Sequence, residues 1–222
     1  MQITDKITIT NEDNMELMAR YTDGYFDLAI VDPEYGININ NNIGRRKGDK
    51  HSGHKKVHWD SKPPEDSYFD ELLRISKNQI IWGGNYFIQL WKKGCKGFII
   101  WDKKFSNEVS FSKYEFAWTS FDVSSKGFEY SPQQDKDKIH PTQKPIKLYK
   151  WLLDMYAKPG DKILDTHLGS GSIAIACFDF GFELTACELD KDYYDAAVKR
   201  IQHHIAFNQS LFQPEELTQT LF

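Results

Sequence analysis

The segment FDLAIVDPEY, residues 26–35, decides the architecture of the chain, because an apolar run of strand length leads directly into an acidic turn. The run lacks the alternation of apolar and polar residues found in half-exposed strands, which indicates burial on both faces, as in parallel sheets. Asp32 therefore leaves the carboxyl end of a buried strand, where open α/β sheets place their ligand crevice. The sequence predicts a parallel sheet with a ligand site at the end of this strand.

Short apolar runs of the same kind alternate with longer amphipathic segments along the whole chain. Besides 26–32, strands are predicted at 6–10, 79–83, 97–102, 114–121, 161–165 and 182–188. Helices are predicted near 13–21, 65–77, 85–93, 145–157, 171–180 and 190–207, the last with Asp190 as its N-cap. This alternation predicts a doubly wound α/β fold with seven strands and helices on both faces of the sheet.

The composition of the chain narrows the classes of function. The 222 residues carry 28 basic and 32 acidic side chains, a net charge of −4, so any site for a polyanion must be a local patch. Three cysteines at 95, 177 and 187 are too few and too scattered for a disulfide framework or a zinc site. They suit a reducing cytoplasm. No apolar run approaches the roughly 18 residues of a membrane helix, so we expect a cytoplasmic protein with no membrane contact.

A second strand ends in DTHLGSGS (165–172), where glycines 169 and 171 let backbone amides approach a ligand at a helix N-terminus. The three spaced glycines of a dinucleotide-binding turn are absent, which favours a mononucleoside-like ligand over NAD. Glu188 ends the next strand 19 residues after Gly169, where an acid usually holds ribose hydroxyls. A simple tight turn would explain the glycines but not this acid.

The segment HPTQKP (140–145) stands directly before a predicted helix. Thr142 is the predicted cap of that helix, and Pro145 suits its first turn. A helix start would account for Thr142 and Pro145 but would not explain why Lys144 and His140 are present.

Together, DPEY, HPTQKP, DTHLGSGS and Glu188 resemble the β group of amino-group DNA methyltransferases that use S-adenosylmethionine. In that group the catalytic motif precedes the cofactor motif, a circular permutation of the fold. The resemblance covers nearly residues 7–207 and implies a Rossmann-like, mostly parallel seven-stranded sheet. An aspartate at position 32, rather than serine, favours methylation of adenine N6, with cytosine N4 as the alternative.

The resemblance also implies the residues of the site. Asp32, Pro33, Glu34 and Tyr35 form the catalytic motif. The Asp32 carboxylate and the Pro33 carbonyl would accept hydrogen bonds from the target amino group, while Tyr35 would stack on the extruded base. The residues implied for the cofactor are Asp13, Lys144, Asp165, His167, Gly169, Ser170, Gly171 and Glu188. Because the methyl donor is already activated, we expect no metal.

Two residues depart from the family pattern. Glu34 stands where the family has a second proline, and it brings a carboxylate next to Asp32. A catalytically impaired module that binds DNA or cofactor is therefore the alternative to an active enzyme. His167 stands where an aromatic residue is expected, after Thr166. A protonated His167 would oppose a cationic cofactor, so cofactor affinity is predicted to rise as the pH climbs through the imidazole range.

The segments outside these motifs carry the predicted contacts with macromolecules. Residues 1–207 form the predicted catalytic domain, with 36–64 and 103–139 as DNA-recognition loops and 208–222 as a C-terminal tail. The stretch 44–58 has a local charge of +5. Its cations are predicted to contact the phosphates of double-stranded DNA: Arg45, Arg46, Lys47, Lys50, Lys55 and Lys56.

The tail contains the related tetrapeptides QSLF (209–212) and QTLF (219–222). Both resemble the short peptides with which bacterial proteins dock on the replication sliding clamp. The alternative is that their Leu-Phe pairs pack on the domain itself. A homodimer is a further hypothesis about partners.

Overall fold

The computed structural model describes residues 1–37, 59–106, 112–135, 138–140 and 142–211. Within them, eight strands form one mixed sheet. The strands are β1 (Ile7–Asn11), β2 (Phe26–Val31), β3 (Ser76–Trp82), β4 (Phe98–Asp102), β5 (Tyr114–Thr119), β6 (Lys126–Glu129), β7 (Lys162–Asp165) and β8 (Glu183–Glu188). Their order across the sheet is β1-β8-β7-β2-β3-β5-β4-β6. Strand β5 runs antiparallel to its neighbours β3 and β4, and the other pairings are parallel.

The described part of the chain contains six α-helices. They are α1 (Asn14–Met18), α2 (Asp66–Ile75), α3 (Ile88–Lys93), α4 (Ile146–Tyr156), α5 (Ser172–Phe180) and α6 (Lys191–Leu211), with short 3₁₀ turns at Trp59–Ser61 and Pro132–Gln134. The predicted α/β class with a mostly parallel sheet and helices on its faces is confirmed. All seven predicted strands are present, and β6 is an eighth that the sequence did not predict.

Burial on both faces of the sheet explains why apolar and polar residues do not alternate in the central strand β2. Leu28 and Ile30 pack into one core cluster, with residues of α4, α5 and α6. Ala29 and Val31 pack into a second cluster on the opposite face, with residues of α1, α2 and α3. Both faces of the strand are covered from residue 28 to residue 31, so these four positions are apolar, and each fully buried Leu, Ile or Val contributes about 1.5–3 kcal/mol.

The helix starts settle two cap predictions. The Asp190 carboxylate accepts hydrogen bonds from the N–H groups of Asp192 (2.8 Å) and Tyr193 (3.2 Å), so it caps α6 as predicted. The Thr142 prediction is wrong: α4 begins after Pro145 without a side-chain cap, and the Thr142 hydroxyl lies 3.0 Å from His140 Nδ1 instead. Thr142 lies three residues before Pro145, the N-cap residue of α4, and is therefore too far upstream to cap the helix.

None of the described helices is long and apolar enough to cross a membrane. In the same part of the chain, no three His, Cys, Asp or Glu side chains come together in a group that could hold a metal ion.

Candidate active site

A cavity of about 310 Å³ lies at the carboxyl ends of β2, β7 and β8, the neighbouring strands that carry the predicted motifs. The structure brings ten of the predicted site residues to its wall: Asp13, Asp32, Pro33, Glu34, Tyr35, Lys144, His167, Gly169, Ser170 and Glu188. Two others, Asp165 and Gly171, are buried and lie outside the lining. The six predicted DNA-contacting cations, Arg45 to Lys56, and the tail beyond Leu211 lie outside the described residues.

Both oxygens of the Asp32 carboxylate have partners. Oδ1 accepts a hydrogen bond from the Tyr35 hydroxyl at 2.7 Å, and Oδ2 forms an ion pair with the Lys144 ammonium. Lys144 Nζ also lies 3.3 Å from the Tyr35 oxygen. The lysine predicted to line the cofactor pocket is thus a direct partner of the predicted catalytic carboxylate.

Lys144 belongs to a chain of four alternating charges. Its Nζ lies 3.3 Å from Oε2 of Glu115 on β5, and Glu115 pairs in turn with Lys103. Burial would lower the pKa of Lys144, but Asp32 and Glu115 outweigh it and raise that pKa. Burial would raise the pKa of Glu115, but Lys144 and Lys103 outweigh it and hold that pKa below its usual value. Lys144 and Glu115 therefore both stay charged at neutral pH.

Tyr35 fits into its place because of a glycine. Gly83 follows β3 with φ +72°, and a Cβ on it would lie 2.2 Å from Cε1 of Tyr35. The Tyr35 ring also stacks on Tyr86, with centroids 5.0 Å apart and an interplanar angle of 17°. Burial first, and then the Asp32 charge, raise the pKa of Tyr35 well above its ordinary value, so its hydroxyl remains a donor.

The turn after β7 is tied to the acid that ends β8. Gly169 donates its N–H to Glu188 Oε2 at 2.8 Å, and Asp190 donates its N–H to Oε1 at 2.9 Å. The two backbone donors hold the carboxylate at the cavity wall. Burial raises the pKa of Glu188.

The helix end of the same turn is closely packed. Gly171, with φ +73°, leads into α5, and a Cβ there would lie 2.8 Å from Ile201 Cδ1. Arg200 on α6 donates to the Ser170 carbonyl at 2.7 Å and to Ser172 Oγ at 3.0 Å. This role of Arg200 was not predictable from the sequence, because an arginine on a long amphipathic helix resembles a solvent-facing residue.

Asp165 ends β7 beneath the turn and is 2% exposed. Its Oδ1 accepts a hydrogen bond from the His167 N–H at 2.9 Å. Burial raises its pKa from 3.8 to about 8, and the charges of Asp32 and Glu188 act in the same direction. At neutral pH this carboxyl is therefore largely protonated.

Asp13, predicted near a nucleoside base, has a structural contact as well. Its carboxylate caps α1, accepting from the N–H groups of Met15 (2.8 Å) and Glu16 (3.4 Å). The same residue lines the cavity, beside Glu12 and Asn14.

The two residues that depart from the family pattern contact each other. Oε2 of Glu34 lies 3.5 Å from Nε2 of His167, across the junction between the turns that follow β2 and β7. Asp32, by contrast, is bonded to Tyr35 and Lys144. Glu34 thus faces the wall of the cavity formed by the glycine turn.

The comparisons with known proteins agree with this geometry. A family model described as DNA methylase, for N6 and N4 enzymes, matches residues 38–199. A putative methylase, YubD, from Escherichia coli K12 is 24% identical, over 91% of this chain and 96% of that protein. The Type II methyltransferase M.HinfI from Haemophilus influenzae is 24% identical, over 88% of this chain and 68% of its own.

Solved structures show the same fold. A complex of M1.HpyAVI with SAM superposes with a TM-score of 0.58 at 20% identity, covering 87% of this chain and 98% of that one. The cytosine-N4-specific PvuII DNA methyltransferase also gives a TM-score of 0.58, at 11% identity, covering 89% and 91%.

Proposed function

This chain belongs to the DNA methylase family of N6 and N4 enzymes, and from that premise we propose that it transfers a methyl group from S-adenosylmethionine to N6 of a flipped-out adenine. One observation carries the proposal. Asp32, a hydrogen-bond acceptor for an amino group, shares a single cavity with the Gly169 turn and Glu188, the elements that suit a nucleoside. The target amino group and the methyl donor would thus meet in this cavity without any further movement of the sheet.

The charges of the cavity fit a cationic cofactor. Lys144 in its wall is already paired with Asp32 and Glu115. Eight carboxylates of the described part of the chain line the cavity: those of Glu12, Asp13, Asp32, Glu34, Asp60, Glu115, Glu188 and Asp190. Such a wall attracts a cation and would repel a diphosphate. S-adenosylmethionine would supply a methyl group activated on a sulfonium. A SAM complex of the structural neighbour M1.HpyAVI supports the same assignment.

We assign the cofactor contacts to the residues around the glycine turn. Glu188, with each oxygen already held by a backbone N–H, would accept from the ribose hydroxyls. Gly169 and Ser170 line the cavity, while Gly171 and Asp165 are buried behind them. Asp13 would lie beside the adenine of the cofactor.

The chain's own residues would position the target amino group. An exocyclic amino nitrogen is a weak nucleophile because its lone pair is delocalised into the ring. By accepting its N–H groups, the Asp32 carboxylate and the Pro33 carbonyl would favour a tetrahedral nitrogen with a localised lone pair. The Tyr35 hydroxyl occupies Asp32 Oδ1, so the target amino group would take its place while the ring of Tyr35 packs against the base.

The choice of adenine rests on the residue type at position 32. In the family of amino-group DNA methyltransferases that the motifs resemble, an aspartate at this position, rather than a serine, goes with methylation of adenine N6. Cytosine N4 remains the second candidate, because the cytosine-N4-specific PvuII enzyme shares the fold. In both cases extrusion of the base costs a few kcal/mol, and the basic stretch from Arg45 to Lys56 would hold the duplex.

Labelled methyl transfer tests the proposal directly. The protein would be incubated with labelled S-adenosylmethionine and mixed-sequence double-stranded DNA, and the modified nucleosides identified by mass spectrometry. We expect N6-methyladenine from the wild type, none from Asp32→Asn, and full activity from Asp195→Asn, an exposed surface aspartate on α6. N4-methylcytosine would select the alternative, and cofactor binding without transfer would indicate a module impaired by Glu34.

A further inference from the structure

A buried carboxylate in the cavity wall comes from outside the motifs that predicted the site. Asp60 lies in the 3₁₀ turn Trp59–Ser61, within the stretch 36–64 that the sequence assigned to DNA recognition. It is 3% exposed and lines the cavity, as do residues 32–35 of the catalytic motif. Because a carboxylate removed from water needs hydrogen-bond donors, the donor that it contacts indicates its role.

That donor belongs to the backbone at the end of the catalytic motif. Asp60 Oδ1 accepts a hydrogen bond from the N–H of Gly36 at 2.9 Å. Gly36 follows Tyr35 directly, and it is 24 residues away from Asp60 in the sequence. The bond is therefore a tertiary contact that ties the motif to a separate segment of the chain.

The same segment also packs against Gly36. A Cβ on this glycine would lie 2.6 Å from Cδ and 2.8 Å from the nitrogen of Pro63. The backbone of the motif thus contacts the segment of Asp60 and Pro63 through a hydrogen bond and through close packing. Together these contacts set the position at which the chain leaves the motif.

The motif has other contacts, but they depend on the side chain of Tyr35. Its hydroxyl donates to Asp32 Oδ1 at 2.7 Å, and its ring stacks on Tyr86 with centroids 5.0 Å apart. The target amino group would displace the hydroxyl from Asp32. The bond from Gly36 to Asp60 uses neither proposed acceptor of the amino group, so it would persist during this exchange.

Asp60 is less suited to contact the base itself. The amino group is the donor of adenine, whereas its ring nitrogens N7 and N3 are acceptors. Asp32 and the Pro33 carbonyl would already accept from that amino group. A further carboxylate would face acceptors on the ring, so the backbone N–H of Gly36 is the better partner for Asp60.

We propose that Asp60 is a positioning residue for methyl transfer. By accepting the Gly36 N–H, it holds the backbone of the motif so that the Asp32 carboxylate and the Pro33 carbonyl keep their directions toward the target amino group. This inference rests on the proposed function. Asp60 acts through the backbone, and displacement of a reacting group by about 1 Å lowers a rate by as much as about 100-fold.

Two variants of the full chain test the proposal by labelled methyl transfer to double-stranded DNA and by calorimetry with S-adenosylmethionine. Asp60→Asn keeps an acceptor oxygen for the Gly36 N–H, so its kcat should stay within about threefold of the wild type. Asp60→Ala removes the acceptor and should lower kcat by about 10- to 100-fold. Its cofactor dissociation constant should be nearly unchanged, because the cofactor contacts are assigned to the turns after β7 and β8. Asp70→Ala, at an exposed aspartate on α2, is the control and should keep full activity.

A third variant separates positioning from a general loss of structure. Asp60→Leu fills the volume of the side chain without offering an acceptor, so it should behave like Asp60→Ala and replaces it if the alanine variant does not fold. Full activity of Asp60→Leu, or a loss in Asp60→Asn as large as in Asp60→Leu, would overturn the inference. A loss of cofactor affinity in Asp60→Leu as large as its loss of kcat would also overturn it. Absence of methyl transfer by the wild type would instead overturn the proposed function.

Discussion

The buried carboxyl of Asp165 makes the stability of the protein depend on pH in a direction that can be checked. Its pKa is about 8 in the folded state against an ordinary value of 3.8. The folded chain therefore binds more protons than the unfolded chain between these values. The contribution of Asp165 to the free energy of unfolding is therefore complete below the unfolded pKa of 3.8 and is lost as the pH rises through 8. Between these values the free energy of unfolding falls by about 1.4 kcal/mol per pH unit.

Asp165→Asn isolates this contribution. Asparagine resembles the protonated carboxyl, and its Oδ1 can still accept the His167 N–H that Asp165 accepts at 2.9 Å. Between pH 6 and pH 8 the wild type should lose about 2 kcal/mol of unfolding free energy relative to the variant. The measurement is urea denaturation followed by tryptophan fluorescence at both pH values. Curves that shift together between pH 6 and pH 8 would refute the reasoning, because Asp165 would then titrate alike in both states.

Three further substitutions test the remaining parts of the site. Gly83→Ala places a Cβ 2.2 Å from Tyr35 at φ +72°, so we expect a loss of about 1–3 kcal/mol of stability and slower methyl transfer, with the cofactor dissociation constant unchanged in calorimetry. Lys144→Met leaves Asp32 and Glu115 without their shared ammonium, which should cost about 3–5 kcal/mol in urea denaturation. Glu115→Gln keeps the Asp32–Lys144 pair, so its loss should be smaller, and its methyl transfer in the same assay should exceed that of Lys144→Met.

The sequence was sufficient to predict the parts of the fold that are buried. Residues 28–31 and 163–164 are apolar because helices cover both faces of the sheet, and such runs are visible without a structure. Strand β6 (Lys126–Glu129) was missed for the opposite reason. It lies at the edge of the sheet with most of its residues exposed, so it carries no hydrophobic pattern.

The site was predictable where it is made of turns at strand ends. Asp32 follows β2 directly, Gly169 lies in the turn after β7, and Glu188 is the last residue of β8. The strand ends at one edge of a sheet necessarily come together. Glu115 was not predictable, because it lies within β5 between aromatic residues and resembles an exposed strand position. Its role depends on the pairing of β5 with β3 and β4, a long-range contact that no local pattern encodes.

The four alternating charges from Asp32 through Lys144 and Glu115 to Lys103 are difficult to explain as a stabilising feature. Buried ion pairs are often no better for stability than apolar side chains of similar volume, since removal of charges from water is costly. The set sums to zero, however, and its inner members keep their charges by mutual pairing. Such a set holds the Asp32 side chain at the cavity wall through its contact with Lys144. We therefore propose that Glu115 and Lys103 hold Lys144 in place, and that Lys144 in turn positions the Asp32 carboxylate as the acceptor for the target amino group. The free energy that burial of these charges costs would then serve catalysis rather than stability.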